Sequence, residues 1–377
     1  MPRAWAVWAV IAAVGTAAPL AGQTSVYGIR GLGFPGRALT PRARAMGGGL
    51  GAFDPASPIN PAAVAGFVQV TAVAVAAADF RGYEVGGATV GGLHATRFPL
   101  VEVAGRLPSV RLGYSLGMSQ YTERSFDVSL TDTIVLRGVD VAVTDRSSSS
   151  GGASDIRGAL GWEPRAGLRI GAGVHVVTGS AKLSVSRTFS DSAYQSFRRV
   201  NEERVSGFGV SGGLIWAPTG ALQVALAGRY DTEANLEVDS TPTGTVNLPV
   251  SALAGLEIRP VRALRWASTF IWRSWADADP DLSGRAFNTW ELGSGLELGG
   301  REAGGSRVPL RLGARYATLP FSPTDDQAHE VDVALGTGIA FAGNRGLVDV
   351  VLERAFRSGA GARERAWQFS ASLTVRP

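Results

Sequence analysis

Cysteine is absent from all 377 residues, and lysine occurs once, at Lys182. Without cysteine there is no disulfide, no thiolate metal site and no lipid-modified N-terminal cysteine. With one lysine among 36 basic residues, the positive charge is almost all arginine, scattered singly along the chain. A pI near 9.7 therefore reflects no clustered phosphate-binding stripe, and no nucleic-acid partner is expected. Charged residues are only 18% of the chain. Beyond the first fifteen residues no apolar run reaches the ~18–20 residues of a membrane-spanning helix. Histidine occurs three times, as His94, His175 and His329.

The start of the chain has the layout of a secretory signal peptide. Arg3 precedes the apolar run 4–15, and small residues continue through Gly22, so 1–22 is expected to be removed on export. No composition shift or linker divides the rest. Its signal is a period of two. In "ALQVALAGRYD" (221–231) Leu222, Val224, Leu226 and Tyr230 fall on one face, with Gln223, Arg229 and Asp231 on the other. "ALRWASTFIWR" (263–273), "PLRLGARYA" (309–317) and "WQFSASLTVR" (367–376) repeat the pattern. Such alternation marks strands with one apolar and one polar face.

Strands are predicted near 66–81, 90–106, 109–131, 153–163, 167–188, 200–217 and 221–239. The second half adds 246–259, 262–277, 285–299, 306–319, 328–342, 346–357 and 365–376. The even-to-odd connections are short: "RLPS", "PRAG", "PTGA", "PVR", "REAGGS" and "GNRG". The odd-to-even ones are longer, the extreme being the hairpin around "DRSSSSGGASD" (145–155). About 14 strands with loop length sorted by parity fit an all-β, transmembrane antiparallel barrel better than a soluble sandwich. Odd strands also share an opening of apolar residue, Arg or Gln, apolar residue. That places Arg111, Arg169, Gln223, Arg265 and Arg311 inward above the short turns, where Glu257, Glu291, Glu297, Asp332, Asp349 and Glu353 could pair with them. Such a lumen network reads as structural, with Arg111, Arg169, Arg265, Arg311, Glu257 and Asp349 as its core. Trp162, Trp216, Trp266 and Trp367 collect near strand ends, as an interfacial girdle does.

A barrel of this size is too wide for side chains to fill, so it holds water or a plug. "RARAMGGGLGAFDPASPINPAAVAGF" (42–67), rich in Gly and Pro yet apolar, suits a segment enclosed in the lumen. Residues 23–65 are therefore expected as an N-terminal hatch inside a barrel of 66–377, with both chain ends on the short-turn side.

The same stretch resembles the N-terminal hatch of the FadL-type outer-membrane transporters, a likeness carried by Arg44–Gly49 and by Asn60, Pro61 and Ala62. "WAPTGALQVALAGRY" (216–230) and "LPVSALAGLEIRP" (248–260) resemble the family's mid-barrel strands. The resemblance implies passive passage of small hydrophobic molecules, such as long-chain fatty acids, across a bacterial outer membrane. The partners it implies are those molecules, outer-membrane lipid and lipopolysaccharide, and the barrel-assembly machinery during biogenesis. The related PorV-like barrels share the hatch motif but act with secretion machinery or structurally, which leaves that alternative open. Two departures are a chain somewhat short for a fatty-acid channel and an end in Arg376-Pro377 in place of a terminal aromatic. The resemblance further implies a lateral opening at a kinked early strand. Pro99 cannot donate a ladder hydrogen bond, so a bulge is expected around Phe98, Pro99 and Leu100, facing Phe53 or Ile59 of the hatch beside Asn60 and Pro61.

Catalysis is the competing class. A serine hydrolase needs a histidine within reach of its nucleophile, and His175 is expected to face the lumen. No Ser or carboxylate stands beside any of the three histidines in a recognisable motif, so no catalytic pair is expected and a barrel hydrolase is the lesser alternative. "DDQAHE" (325–330) reads as a solvated loop in preference to a cation site. No metal and no cofactor are expected.

Overall fold

The computed structural model describes residues 25–85, 88–261, 263–278, 286–299, 308–322 and 324–376. The expected signal peptide over 1–22 and the turn "REAGGS" at 301–306 lie outside them.

Among the described residues, fourteen antiparallel strands close on themselves. They are β1 (Thr71–Val85), β2 (Ala88–Leu107), β3 (Leu112–Glu123), β4 (Val139–Arg165), β5 (Leu168–Phe189), β6 (Phe197–Thr219) and β7 (Leu222–Asp231). The ring continues with β8 (Ser251–Val261), β9 (Leu264–Arg273), β10 (Thr289–Leu298), β11 (Leu310–Thr318), β12 (His329–Phe341), β13 (Gly346–Gly359) and β14 (Ala362–Val375). Each pairs with the next, and β14 pairs with β1 from Val375↔Ala72 to Ala362↔Val85.

The pattern of burial is inverted relative to a soluble sheet. Along β12, Glu330 and Asp332 are 1% exposed, whereas Val331 between them and Val333 and Leu335 beyond them are 38%, 49% and 48% exposed. Along β9, Arg265, Ala267, Thr269 and Ile271 are buried and Phe270 is exposed. Polar groups inside and valine, leucine and phenylalanine outside give the alternation of a barrel whose outer solvent is hydrocarbon.

Three features differ from the sequence reading. First, 145–155 is strand, not loop. β4 begins at Val139, pairing with Phe126–Leu136 across the turn Arg137-Gly138 (both at positive φ) and with β5 on its other side. Val141 and Val143 supply a buried face, and the Ser- and Gly-rich stretch is held by backbone hydrogen bonds on both edges. Second, β7 ends at Asp231. Ala234–Val238 and Thr241–Val246 form a separate hairpin carried on β6. Third, the first and last odd-to-even connections are only 86–87 and 360–361, so strand extensions, not loop length, make that rim tall.

Residues 25–67 cross from one rim to the other. At the tall rim the Ser25 hydroxyl donates to Glu364 (2.8 Å) and the Tyr27 hydroxyl to the Ala362 carbonyl (2.7 Å). A one-turn helix, α1 (Pro41–Ala45), is capped by the Thr40 side chain, and a 3₁₀ turn (Pro61–Gly66) by Asn60. The C-terminal strand ends at the short-turn rim, as expected, but the described chain begins at the opposite one, because the Tyr27 hydroxyl binds the carbonyls of the β13–β14 turn.

Candidate functional site: the lumen segment and the interrupted wall

The bed for residues 60–65 is a row of glycines in register across four strands: Gly113 on β3, Gly161 on β4, Gly171 on β5 and Gly213 on β6. A methyl on any of them would run into the backbone or the capping side chain of Asn60–Ala65. Main chain thus lies directly on main chain, which a side chain at any of these positions would prevent. Opposite, Gly47 (φ +63) and Gly49 approach Ala314 and Ala267, and the Thr269 hydroxyl donates to the Gly49 carbonyl at 2.7 Å.

Arginines of the segment meet carboxylates of the wall. Arg37 and Arg44 both bind Glu353 (2.8 and 2.5 Å), and Arg42 binds Glu297 (3.0 Å). Glu297 also receives Arg265 (3.3 Å) and Arg311 (2.6 Å), and Arg311 continues to Asp349 (2.6 Å). Glu257 is buried beside Arg265 at 3.6 Å. The structure therefore brings Arg265, Arg311, Glu257 and Asp349 into one network. Arg169 is half-buried against Gly66, apart from it. Arg111 is exposed, correcting its expected inward place. It ends the β2–β3 turn at φ +53, where the backbone turns its side chain out of the strand alternation.

The wall is interrupted at β2. On the β1 side, Val75 pairs with Leu100 and Ala77 with Arg97, so Phe98 and Pro99 together oppose Ala76. This bulge flips the facing of the strand. Leu100 and Glu102 face in below it, whereas Phe98 is 58% exposed and Arg97 turns in above it. On the β3 side, among the described residues, pairing runs from Leu107↔Leu112 up to Leu100↔Ser119 and stops. Above that point β3 takes a different partner, Phe34–Pro35 of the lumen segment. Arg97 reaches across the opening to ion-pair with Glu123, and it also binds Asp79 of β1.

Leu100 packs with Val73, Val75 and Ala56. Phe53 and Ile59, expected against the bulge, instead pack with Leu253 and Ile271 on β8 and β9. The glycine contacts of 47–49 hold that part of the segment to the far wall. Asn60 is fully buried, accepting from the Ala62 amide (3.0 Å) and donating to the Ala52 carbonyl (2.9 Å), so with Pro61 it shapes the segment.

Comparison with known proteins adds the family. The sequence model of the BamG family matches residues 1–251. The chain belongs to the BamG family. No curated protein matches it. Solved structures similar to this BamG chain include a Pseudomonas aeruginosa FadL homologue (16% identity, 93% of this chain and 99% of that one, TM-score 0.58). The Ralstonia pickettii toluene transporter TbuX is similar at 17% identity over 90% and 98% of the two chains, with a TM-score of 0.58. The Pseudomonas putida toluene transporter TodX is similar at 12% identity over 90% and 99%, with a TM-score of 0.59. At these identities the likeness is one of fold, the FadL-type barrel.

Inside the opening, the BamG barrel holds a cavity of about 120 Å³ between the lumen segment (Pro35–Leu39, Pro58, Ile59) and β3–β9. Ser119, Gln120 and Tyr121 line it from the stretch of β3 where the pairing with β2 ends. Its polar wall contains Asp155, His175, Ser211 and Arg229, joined by hydrogen bonds. Sequence reasoning left this group unassembled, since its members lie on four strands and no local motif joins them. Ile59, Leu253, Ile271 and Trp275 make the opposite wall apolar. A small molecule with one polar end fits such a space.

Proposed function

We propose that this BamG-family chain is an outer-membrane channel for small hydrophobic molecules, passive and non-enzymatic in its transport role, with residues 23–65 as its hatch and 66–377 as its barrel. The interrupted β2–β3 ladder carries the reading. A hydrophobic molecule gains little by crossing a charged lumen end to end, but a gap in the wall beside a part-apolar cavity offers a path into the bilayer. Phe98, Pro99 and Leu100 border that path. Phe53, Ile59, Asn60 and Pro61 belong to the segment that closes the bore. Outer-membrane lipid and lipopolysaccharide would meet the exposed apolar belt, and the barrel-assembly machinery would insert it. Toluene transporters among the proteins alike in fold support aromatic hydrocarbons as a substrate class, beside the fatty acids that the sequence resemblance implies.

The test is uptake of radiolabelled toluene and oleate into liposomes holding the purified protein. Uptake above empty liposomes, lost when the opening is cross-linked by Arg97→Cys with Glu123→Cys, is the expected result. Uptake that is no faster than in empty liposomes would remove the transport reading.

A further inference from the structure

His175, 1% exposed, stands between two partners on neighbouring strands. Its Nδ1 lies 3.0 and 3.1 Å from the carboxylate oxygens of Asp155 on β4, and its Nε2 lies 2.8 Å from Oγ of Ser211 on β6. A carboxylate only accepts, so Nδ1 carries a proton, and in the neutral tautomer this leaves the Nε2 lone pair facing the serine hydroxyl. Asp155 is itself fixed by Arg229 Nη1 at 2.5 Å. This is the order of roles a hydrolytic serine requires: nucleophile, base, and a buried carboxylate that sets the base's tautomer. All three line the cavity beside the wall opening. Arg229 sits opposite Ser211 in register on β7, and its buried Nη2 has no hydrogen-bond partner among the described residues. The guanidinium is ion-paired with Asp155 and Asp231, but this one N–H, on the strand beside the nucleophile, is left to hold an oxyanion.

We infer that the lumen contains a serine-hydrolase centre, Ser211–His175–Asp155, for small carboxylic esters whose apolar part rests on Leu253, Ile271 and Trp275. Ser211 Oγ attacks the ester carbonyl carbon as its proton moves to His175 Nε2, and Arg229 Nη2 faces the oxygen that gains charge. The bond from carbon to the alkoxy oxygen then breaks. The Nε2 proton passes to that oxygen, releasing an alcohol and leaving acyl-Ser211. Water, deprotonated by His175, attacks the acyl carbon; the carboxylic acid leaves and the serine regains its proton. Asp155 is a positioning residue in this scheme. The centre is independent of the transport reading, because acylation needs only entry to the cavity.

The test uses the full-length barrel in detergent, with folding checked by heat-modifiable gel migration. Diisopropyl fluorophosphate is added and the modified residue located by mass spectrometry, alongside hydrolysis of p-nitrophenyl acetate. Phosphorylation of wild-type protein at Ser211 is expected. Turnover should fall at least 100-fold in Ser211→Ala and His175→Gln, and Asp155→Asn should lower kcat with KM little changed. Absence of label at Ser211 in folded wild-type protein overturns the inference, whichever variants fold. So does labelling of Ser211 at the wild-type rate in folded His175→Gln.

Discussion

Pro35 lies opposite Thr122 in a two-residue antiparallel bridge, with Phe34 opposite Glu123. A segment of the lumen thereby occupies the edge of β3 that β2 leaves at Leu100. The edge is covered from within, and among the described residues β2 above Pro99 is paired only with β1. In Pro99→Val, an added donor can rejoin the ladder, worth about 1 kcal/mol. Roughly a fivefold bias toward a closed wall follows, so toluene uptake into liposomes should drop severalfold while heat-modifiable migration is unchanged.

Arg97 spans the opening to Glu123. Arg97→Ala removes a charge-assisted pair of about 1.5–3 kcal/mol and should raise the rate of uptake. A rate below wild type in the folded variant would show that the pair shapes the opening and does not restrain it.

Gly213 faces the Asn60 side chain with no space for a methyl. Gly213→Leu should cost about 1–3 kcal/mol through overpacking and lift residues 60–65 from their bed. Limited proteolysis at residues 25–67, read by mass spectrometry, should then proceed in an otherwise folded barrel.

Glu353 is ion-paired with both Arg37 and Arg44 while buried. Removing one partner of a buried pair costs about 3–5 kcal/mol, so Glu353→Gln should free α1 and expose the same segment to protease.

Burial, with Glu364 nearby, pushes the Tyr27 hydroxyl from the usual 10 up to about 12. A raised phenol stabilises the docked segment fully below pH 10 and loses that contribution as pH rises from 10 toward 12. Protease access to residue 30 should increase across that window in wild type and be flat in Tyr27→Phe.

Strands were legible wherever valine, leucine and aromatics alternate with small or polar residues, as in β9 and β14. Residues 139–152 were not, because serine and glycine carry little strand signal and the ladder there depends on neighbours. Arg265 and Arg311 were readable as inward from the strand repeat, but Arg111 shares that repeat and sits one residue too early, in the turn. The Asp155–His175–Ser211 group was beyond reach for a different reason. Its members are 20 and 36 residues apart, and such offsets depend on strand length and register, which no local motif encodes.

The segment 25–67 contains four arginines and one aspartate. Three of those arginines neutralise Glu297 and Glu353 on the wall. A barrel emptied of the segment would lose these three positive charges from mid-bore, leaving Glu353 without either of its arginines. In planar bilayers it would conduct ions, and its reversal potential under a potassium chloride gradient would shift toward that of potassium.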